Sequence, residues 1–482
     1  MPRNKKDEPD ENSPPGRPLK VKRAADGPGV RTAPPVRRTA VEILDRIDRE
    51  GAYAEPLLDA ALSGESLVKP RDRGLLTELV YGTIRMRGSL DWIIERLYRG
   101  KIAHLDRTLL NVIRTGLYQI WFTDRIPPFA VVNEAVAIAR ELSPASPGLV
   151  NALLRNAVRR KKAMIWPEIE EDPEQAIAVL HSHPAWLVRR LLAQFGIEET
   201  VAITRANNAI PPLALRVNTL KASRRKTMAA LAGEGISAGP SVYSADGVIV
   251  HSPAPGLRET ATYRAGWIRV QDEASQLIAA LVAPRPGERI LDLCAGAGGK
   301  SLHLAALMEN RGSVTAVDRS PERLRMLRNE AGRLGAAVVQ TRTGDAAAPA
   351  GDLLQGFDRV LLDAPCSGLG TLRRNPEIRW RLAPADIGAC MRIQRRLLDS
   401  AAMCTRPGGR LVYSVCAVTP EENEIVIEDF LRRHPQFRLM PAASFPPGLI
   451  DAGGYLRTFP HRQGMDGFFA AQLMRIPSGA DP

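Results

Sequence analysis

RILDLCAGAGGKS, residues 289–301, decides the fold of the C-terminal half. A short apolar strand, RILDL, runs directly into a glycine-rich turn and then a helix start, the order that opens a ligand-binding α/β unit. Glycines 296, 298 and 299 let the backbone turn tightly beneath a ligand at the N-terminus of the next helix. A dinucleotide loop of the G-x-G-x-x-G form would need glycine at 301, where Ser301 stands. Taken alone, the loop also fits a plain tight β–α turn.

Outward from this loop the pattern repeats. SVTAVD (313–318), AVVQTR (337–342), FDRVLLDAP (357–365) and GRLVYSV (409–415) are short apolar strands separated by helices with Arg-rich faces, such as SPERLRMLRNEAGRLG (320–335). Pro407-Gly408-Gly409 predicts a sharp turn into the fifth strand. The alternation predicts an open, mostly parallel, doubly wound α/β domain over 271–476, with a short tail at 477–482. In such sheets ligands bind in the crevice beyond the C-terminal strand ends. Asp318, Asp345 and Asp363 all fall at or just after strand ends.

Upstream, three further regions are expected. Residues 1–36 hold Pro, Gly, Lys and Asp without apolar periodicity and read as a disordered basic extension. Residues 37–164 read as an all-α bundle. Its stripes are Val41, Leu44 and Ile47, then Leu75, Leu76, Leu79 and Val80, then Leu109, Val112, Ile113 and Leu117, with Asp106 as an N-cap before the third. Residues 165–270 read as a small α/β module. Within it PAWLVRRLLAQFG is a helix ended by Gly196, and LALRVNTL, RRKTMAALAGEG and GVIVHS follow in strand–helix–strand order.

Among 482 residues, 66 Lys and Arg against 53 Asp and Glu leave a formal charge of +13, which suits a polyanionic partner. Arg155, Arg159, Arg160, Lys161 and Lys162 form one basic cluster, and Lys221, Arg224, Arg225 and Lys226 another. Each fits either phosphate contact or a solvated face. The longest clean apolar run, Leu277 to Ala283, is far shorter than the ~20 residues of a membrane span. The N-terminus lacks the apolar core of a secretion signal, so the cytoplasm is the expected compartment. No Cys pair has zinc-ligand spacing, and His181 and His183 are expected in a turn rather than on a metal.

Of five cysteines, Cys390 and Cys404 read as small core hydrophobes. Cys366, three residues after Asp363, and Cys416, just past the fifth strand, sit instead beside the predicted crevice. Pyrimidine carbon 5 is a poor nucleophile, and a thiolate adding to carbon 6 makes it enamine-like. Spacing does not say which cysteine attacks.

LDLCAGAGGKS (291–301), DAPCSGLGTLRRNPEIRWR (363–381), YSVCAVTPEENE (413–424) and DGFFAAQL (466–473) resemble the NOL1/NOP2/Sun family of RNA cytosine-C5 methyltransferases. DRGLLTELVYGTIRMRGSLDWII (72–94), RTGLYQIWF (114–122), VVNEAVAIAR (131–140) and GLVNALLRNAVRR (148–160) resemble a NusB-like RNA-binding domain. Together, 37–476 resemble the family's bacterial Sun-type branch, which methylates a cytosine in 16S ribosomal RNA. The resemblance implies a Rossmann-like class I methyltransferase domain, with the small module corresponding to the family's RRM-like region. It implies S-adenosylmethionine as cofactor, with Cys294, Ala295, Gly296, Ala297, Gly298, Gly299 and Lys300 around the methionine part. Asp318 would take the ribose and Asp345 the adenine. Asp363 would bond the cytosine, with Lys300 nearby. Cys416 would be the nucleophile, and Cys366 would assist its release. Ala297 replaces the family's usual proline, and Val415-Cys416-Ala417 replaces its T-C-S. The rival is a noncatalytic RNA-binding ribosome assembly factor with a degenerate cofactor domain. An NAD-dependent oxidoreductase would leave Cys366 and Cys416 without a role. Methyl transfer to RNA is the expected function.

Overall fold

The computed structural model describes residues 35–63, 70–124, 126–144, 146–251, 256–354, 356–442, 445–446 and 448–477. Residues 1–34 of the predicted extension and the tail at 478–482 lie outside them. The first helix begins at Pro35, two residues inside the segment expected to be disordered.

The bundle comprises Pro35–Glu50, Ala54–Leu62, Pro70–Arg85, Arg87–Leu97, Arg107–Phe122, Pro128–Leu142 and Pro147–Arg160. The predicted stripes converge in one core: Val41, Leu76, Leu79, Val80, Ile113 and Leu117 are fully buried. Burying such side chains contributes about 1.5–3 kcal/mol each and holds the helices together. The Asp106 carboxylate accepts from the Leu109 amide at 3.0 Å, so the predicted cap forms. Trp380, from far along the chain, packs on this core and donates its indole N–H to the Ile84 carbonyl at 2.8 Å.

After the bundle come helices Pro173–Leu180 and Ala185–Asn208. Gly196, at φ +75°, breaks the second, and a new helical run follows directly instead of a loop. Leu187, Leu191 and Ile203 pack against Leu369, Ile378, Val418 and Phe459 of the C-terminal domain. These helices therefore do not share the core of the small module. His181 C-caps the first of them, and its Nδ1 lies 2.6 Å from the Thr204 hydroxyl.

The module itself has four strands, β1 (Leu213–Val217), β2 (Ala238–Pro240), β3 (Gly247–Val250) and β4 (Ile268–Val270), in the order β2-β3-β1-β4. The expected strand–helix–strand order does not give a parallel pair. Helix Arg224–Gly233 leads into the short β2, which hairpins to β3, and β3 then lies antiparallel to β1.

The C-terminal sheet contains β5 (Arg289–Leu293), β6 (Ser313–Asp318), β7 (Val339–Thr343), β8 (Phe357–Asp363), β9 (Thr405–Val415), β10 (Phe437–Met440), β11 (Leu456–Thr458) and β12 (Phe468–Arg475). Their order is β10-β12-β9-β8-β5-β6-β7, with β11 on β12. Strands β7, β6, β5, β8 and β9 are mutually parallel, whereas β12 runs antiparallel to β9. Residues 290–293 are buried on both faces, as expected of a central parallel strand. Pro407-Gly408-Gly409 does not precede the fifth strand. The strand begins at Thr405, and the Pro-Gly-Gly forms an irregularity within it, opposite a register shift between Phe357 and Arg359. The chain order reverses between β5 and β8, so the crevice opens there.

Candidate active site

The loop after β5 is built from left-handed backbone: Cys294, Gly296 and Gly298 have φ of +66°, +57° and +80°. At Gly298 a Cβ would lie 2.4 Å from Cγ of Leu327, so only glycine lets the loop close on helix Pro321–Leu334. At Gly296 a Cβ would meet nothing within 4 Å, because that position faces open space. Helix Gly299–Leu307 starts at the loop's far end.

The small module grips the same loop from behind. Arg216 Nη1 donates to the Gly299 carbonyl at 2.6 Å, and Arg269 Nη2 to the Ala297 carbonyl at 3.1 Å.

A cleft of about 850 Å³ lies beyond the strand ends. Residues 294–297, Asp318, Asp345, Asp363, Cys366 and Cys416 all line it. The structure thus gathers nine of the twelve predicted site residues around one space. Gly298, Gly299 and Lys300 do not line it, and Lys300 Nζ reaches Asp363 at 2.6 Å.

Each carboxylate is held differently. Asp318 accepts from the amides of Gly296 and Ser320, both at 2.8 Å, which ties the glycine loop to the end of β6. Asp345 accepts from the Ala347 amide at 2.9 Å and from Arg319 at 2.7 Å, and these contacts hold its carboxyl below the usual range. Asp363 accepts from Lys300 Nζ at 2.6 Å on one oxygen and from the Ser414 hydroxyl at 2.8 Å on the other. Burial alone would depress the Lys300 ammonium, but the charge and hydrogen bond of Asp363 outweigh it and raise the value.

The two cysteine sulfurs are 3.3 Å apart. The hydrogen bond to Cys416, then burial, then nearby negative charge push the Cys366 thiol well up. Burial, followed by the carboxylates of Asp292, Asp363 and Asp318, pushes Cys294 to about 12. Cys294 is therefore a protonated lining group. Cys404 is wholly buried in the core beneath the sheet. Val415 and Ala417, on either side of Cys416, are buried in that core too, so apolar packing replaces the family's hydroxyls there.

Two residues outside the predicted set complete the site. Asp292, buried in β5, accepts from the Ser301 hydroxyl at 2.5 Å, and burial raises its carboxyl to about 7. Glu422 is wholly buried and accepts from the Ser367 amide at 2.8 Å, the Ser367 hydroxyl at 2.6 Å, the Thr419 hydroxyl at 2.8 Å and Gln394 at 3.0 Å. It thereby fastens the loop after Cys366 to the loop after Cys416. The only sequence signal was position: Asp292 lies in the strand before the loop, and Glu422 lies in YSVCAVTPEENE.

The cleft fits S-adenosylmethionine. Its volume lies within the ~300–1,000 Å³ of small-molecule sites, its glycine loop leaves backbone open to a ligand, and its carboxylates complement a sulfonium cation. Among the described residues no group of three or more His, Cys, Asp or Glu is placed to hold a metal ion. No helix among them is long and apolar enough to cross a membrane.

Fold and cleft together define a Rossmann-like methyltransferase of the S-adenosylmethionine-dependent type, preceded by a helical bundle and a small antiparallel module. A family model described as 16S rRNA methyltransferase RsmB/F matches residues 279–474. The NusB family matches 34–159, and a RsmF/B-like ferredoxin-like domain matches 183–256. The chain is 34% identical to the probable ribosomal RNA small subunit methyltransferase B of Bacillus subtilis, over 91% of this chain and 98% of that protein. It is 36% identical to the ribosomal RNA small subunit methyltransferase B of Vibrio cholerae, over 87% and 93%. The crystal structure of PH0851 superposes with a TM-score of 0.79 at 29% identity, covering 92% of this chain and all of that one. NSun6 from Pyrococcus horikoshii, solved with SFG, gives 0.56 at 25% identity over 62% of this chain and all of that one. The chain belongs to the ribosomal RNA small subunit methyltransferase B family.

Proposed function

We propose that this protein methylates carbon 5 of a cytosine in 16S ribosomal RNA, using S-adenosylmethionine and a covalent bond between Cys416 and the base. The observation that carries the reading is the meeting of both motif cysteines with the Lys300–Asp363 pair at one cleft.

S-adenosylmethionine, when bound, supplies an electrophilic methyl group. Asp318 holds its ribose, Asp345 its adenine, and the 294–300 loop its methionine part. The chain's own residues prepare the acceptor. Cys416 Sγ adds to cytosine carbon 6, and the electrons of the 5,6 double bond shift into the ring. Cys416 Sγ lines the cleft 3.3 Å from Cys366 Sγ, at the crevice where Lys300 meets Asp363. Asp363, fixed by Lys300 and Ser414, hydrogen-bonds the base, while a proton from solvent neutralises the charge that develops on the ring nitrogen and returns to solvent when the ring is restored. Carbon 5 then takes up the methyl group. After the carbon 5 proton leaves to solvent, its electron pair restores the double bond and the carbon–sulfur bond breaks. Cys366, kept as a thiol by its surroundings, donates a hydrogen bond to the departing Cys416 sulfur.

Mapping 5-methylcytosine in ribosomal RNA from cells with and without this protein tests the reading. A small-subunit cytosine whose methylation disappears with the protein is expected. Unchanged methylation everywhere would hand the role to a noncatalytic assembly factor.

A further inference from the structure

Tyr53 belongs to the helical bundle, in the link before helix Ala54–Leu62, yet it lines the same cleft as Cys366 and Cys416. It is the only aromatic residue among the described residues lining that cleft. Its side chain is half in water, at 50% exposure, and its hydroxyl makes no hydrogen bond among the described residues.

The position is nonetheless fixed. The Ala54 amide donates to Glu377 Oε1 at 3.0 Å, and Arg381 bonds the Ala52 carbonyl. The Arg381 guanidinium also sits 5.0 Å from the Tyr53 ring centroid. The catalytic domain thus grips the backbone on both sides of an aromatic side chain and leaves the ring half exposed. Arg323 and Arg396 line the same cleft, are exposed, and make no salt bridge among the described residues. An exposed ring that shares a cleft with exposed arginines is what an unstacked nucleobase and its phosphates require. Chemistry on a base also demands that it leave its stack, which strips a neighbouring base of its partner.

We propose that Tyr53 is a stacking platform for the substrate nucleobase adjacent to the target cytosine, so that the bundle completes the substrate site of the catalytic domain. The proposal rests on the RNA-methylation reading above. It uses the ring and not the hydroxyl, and this sets the test. In the full-length protein, Tyr53→Ala and Tyr53→Leu should each lower kcat/KM for a small-subunit ribosomal RNA substrate, and weaken binding of that RNA, by about tenfold. Tyr53→Phe should stay within twofold of wild type. S-adenosylmethionine affinity and the thermal midpoint should be unchanged in all three, which separates lost stacking from an undocked bundle.

Equal RNA binding and kcat/KM in wild type, Tyr53→Ala and Tyr53→Leu would overturn the proposal while leaving the methylation reading intact. A loss shared by Tyr53→Phe would overturn it in favour of the hydroxyl. If the wild type methylates no cytosine, the methylation reading fails. The RNA-binding arm still decides whether Tyr53 contacts a base.

Discussion

Cys366 Sγ lies 3.3 Å from Cys416 Sγ, although 50 residues separate them in the chain. Parallel pairing of β8 with β9 brings the two strand ends level, with Asp363 opposite Ser414. The loops beyond these ends then meet over the buried Glu422. The proximity is therefore built by the sheet and fixed by one carboxylate, and the bond to Cys416 together with burial raises the Cys366 thiol.

The Lys300–Asp363 pair should prove structural and functional at once. Asp363→Ala leaves a buried ammonium without its partner. This should cost about 3 kcal/mol, the lower end for a broken buried pair, because Asp363 is 31% exposed. Methyl transfer should be lost as well. A Lys300→Met, Asp363→Ala double variant should regain part of the stability in denaturant unfolding but none of the activity. Additive losses of stability would argue against the pair.

Asp292 predicts a pH dependence. Burial raises its folded value to about 7, the Ser301 bond opposing the rise and the Asp363 charge adding to it. The unfolded value is about 3.9, so the fold binds this proton more tightly than the unfolded chain. The resulting stability is complete below about pH 4 and is lost as pH rises through about 7. Asp292→Asn cannot ionise and escapes that loss. Its stability relative to wild type should therefore climb by a few kcal/mol from about pH 4 to about pH 8, at roughly 1.4 kcal/mol per pK unit. A difference that stays flat across this range would contradict the assignment.

Glu422 is predicted to position Cys366. Glu422→Ala removes the acceptor for Ser367, Thr419 and Gln394 and should cost about 2–4 kcal/mol, at ~1.5–3 kcal/mol for each hydrogen bond to a charged group, non-additively. S-adenosylmethionine affinity should persist while turnover falls. Glu422→Gln should recover part of the stability. Calorimetry and single-turnover methylation on the same samples check this split.

The two basic clusters should behave differently in salt. Arg159, Arg160 and Lys162 are exposed and make no ion pair among the described residues. Lys221 instead donates to the carbonyls of Ala265 and Arg333, Arg224 to that of Ser244, and Lys226 covers the Trp267 ring. Charge reversal at 159, 160 and 162 should flatten the salt dependence of RNA binding. Lys221→Glu should lower the thermal midpoint and leave the slope unchanged. An unaltered slope in the first variant would make that cluster a solvated face.

The central strands were legible because they are short, apolar and largely buried, as 290–293 and 316–318 are, whereas the edge strand 339–343 is half-exposed. The nine cleft residues were legible because the motif loops follow those strands directly. Asp292 and Glu422 were not, since their chemistry comes from burial and from partners elsewhere in the chain, such as Gln394 28 residues from Glu422. In the sequence Ser301 only interrupts a glycine pattern, yet its hydroxyl is the one that meets Asp292. The hairpin of the small module was hidden because β2 is only Ala-Gly-Pro. Tyr53 was invisible for a topological reason: nothing local shows that a bundle residue reaches a cleft more than 200 residues downstream.

The most direct measurement of the central claim is covalent capture on incubation with substrate RNA and S-adenosylmethionine, followed by denaturing electrophoresis. Cys416→Ala should form no RNA–protein adduct. Cys366→Ala should accumulate one, because the departing sulfur has lost its hydrogen-bond donor at 3.3 Å. An adduct in Cys416→Ala together with none in Cys366→Ala would contradict the assignment and make Cys366 the nucleophile.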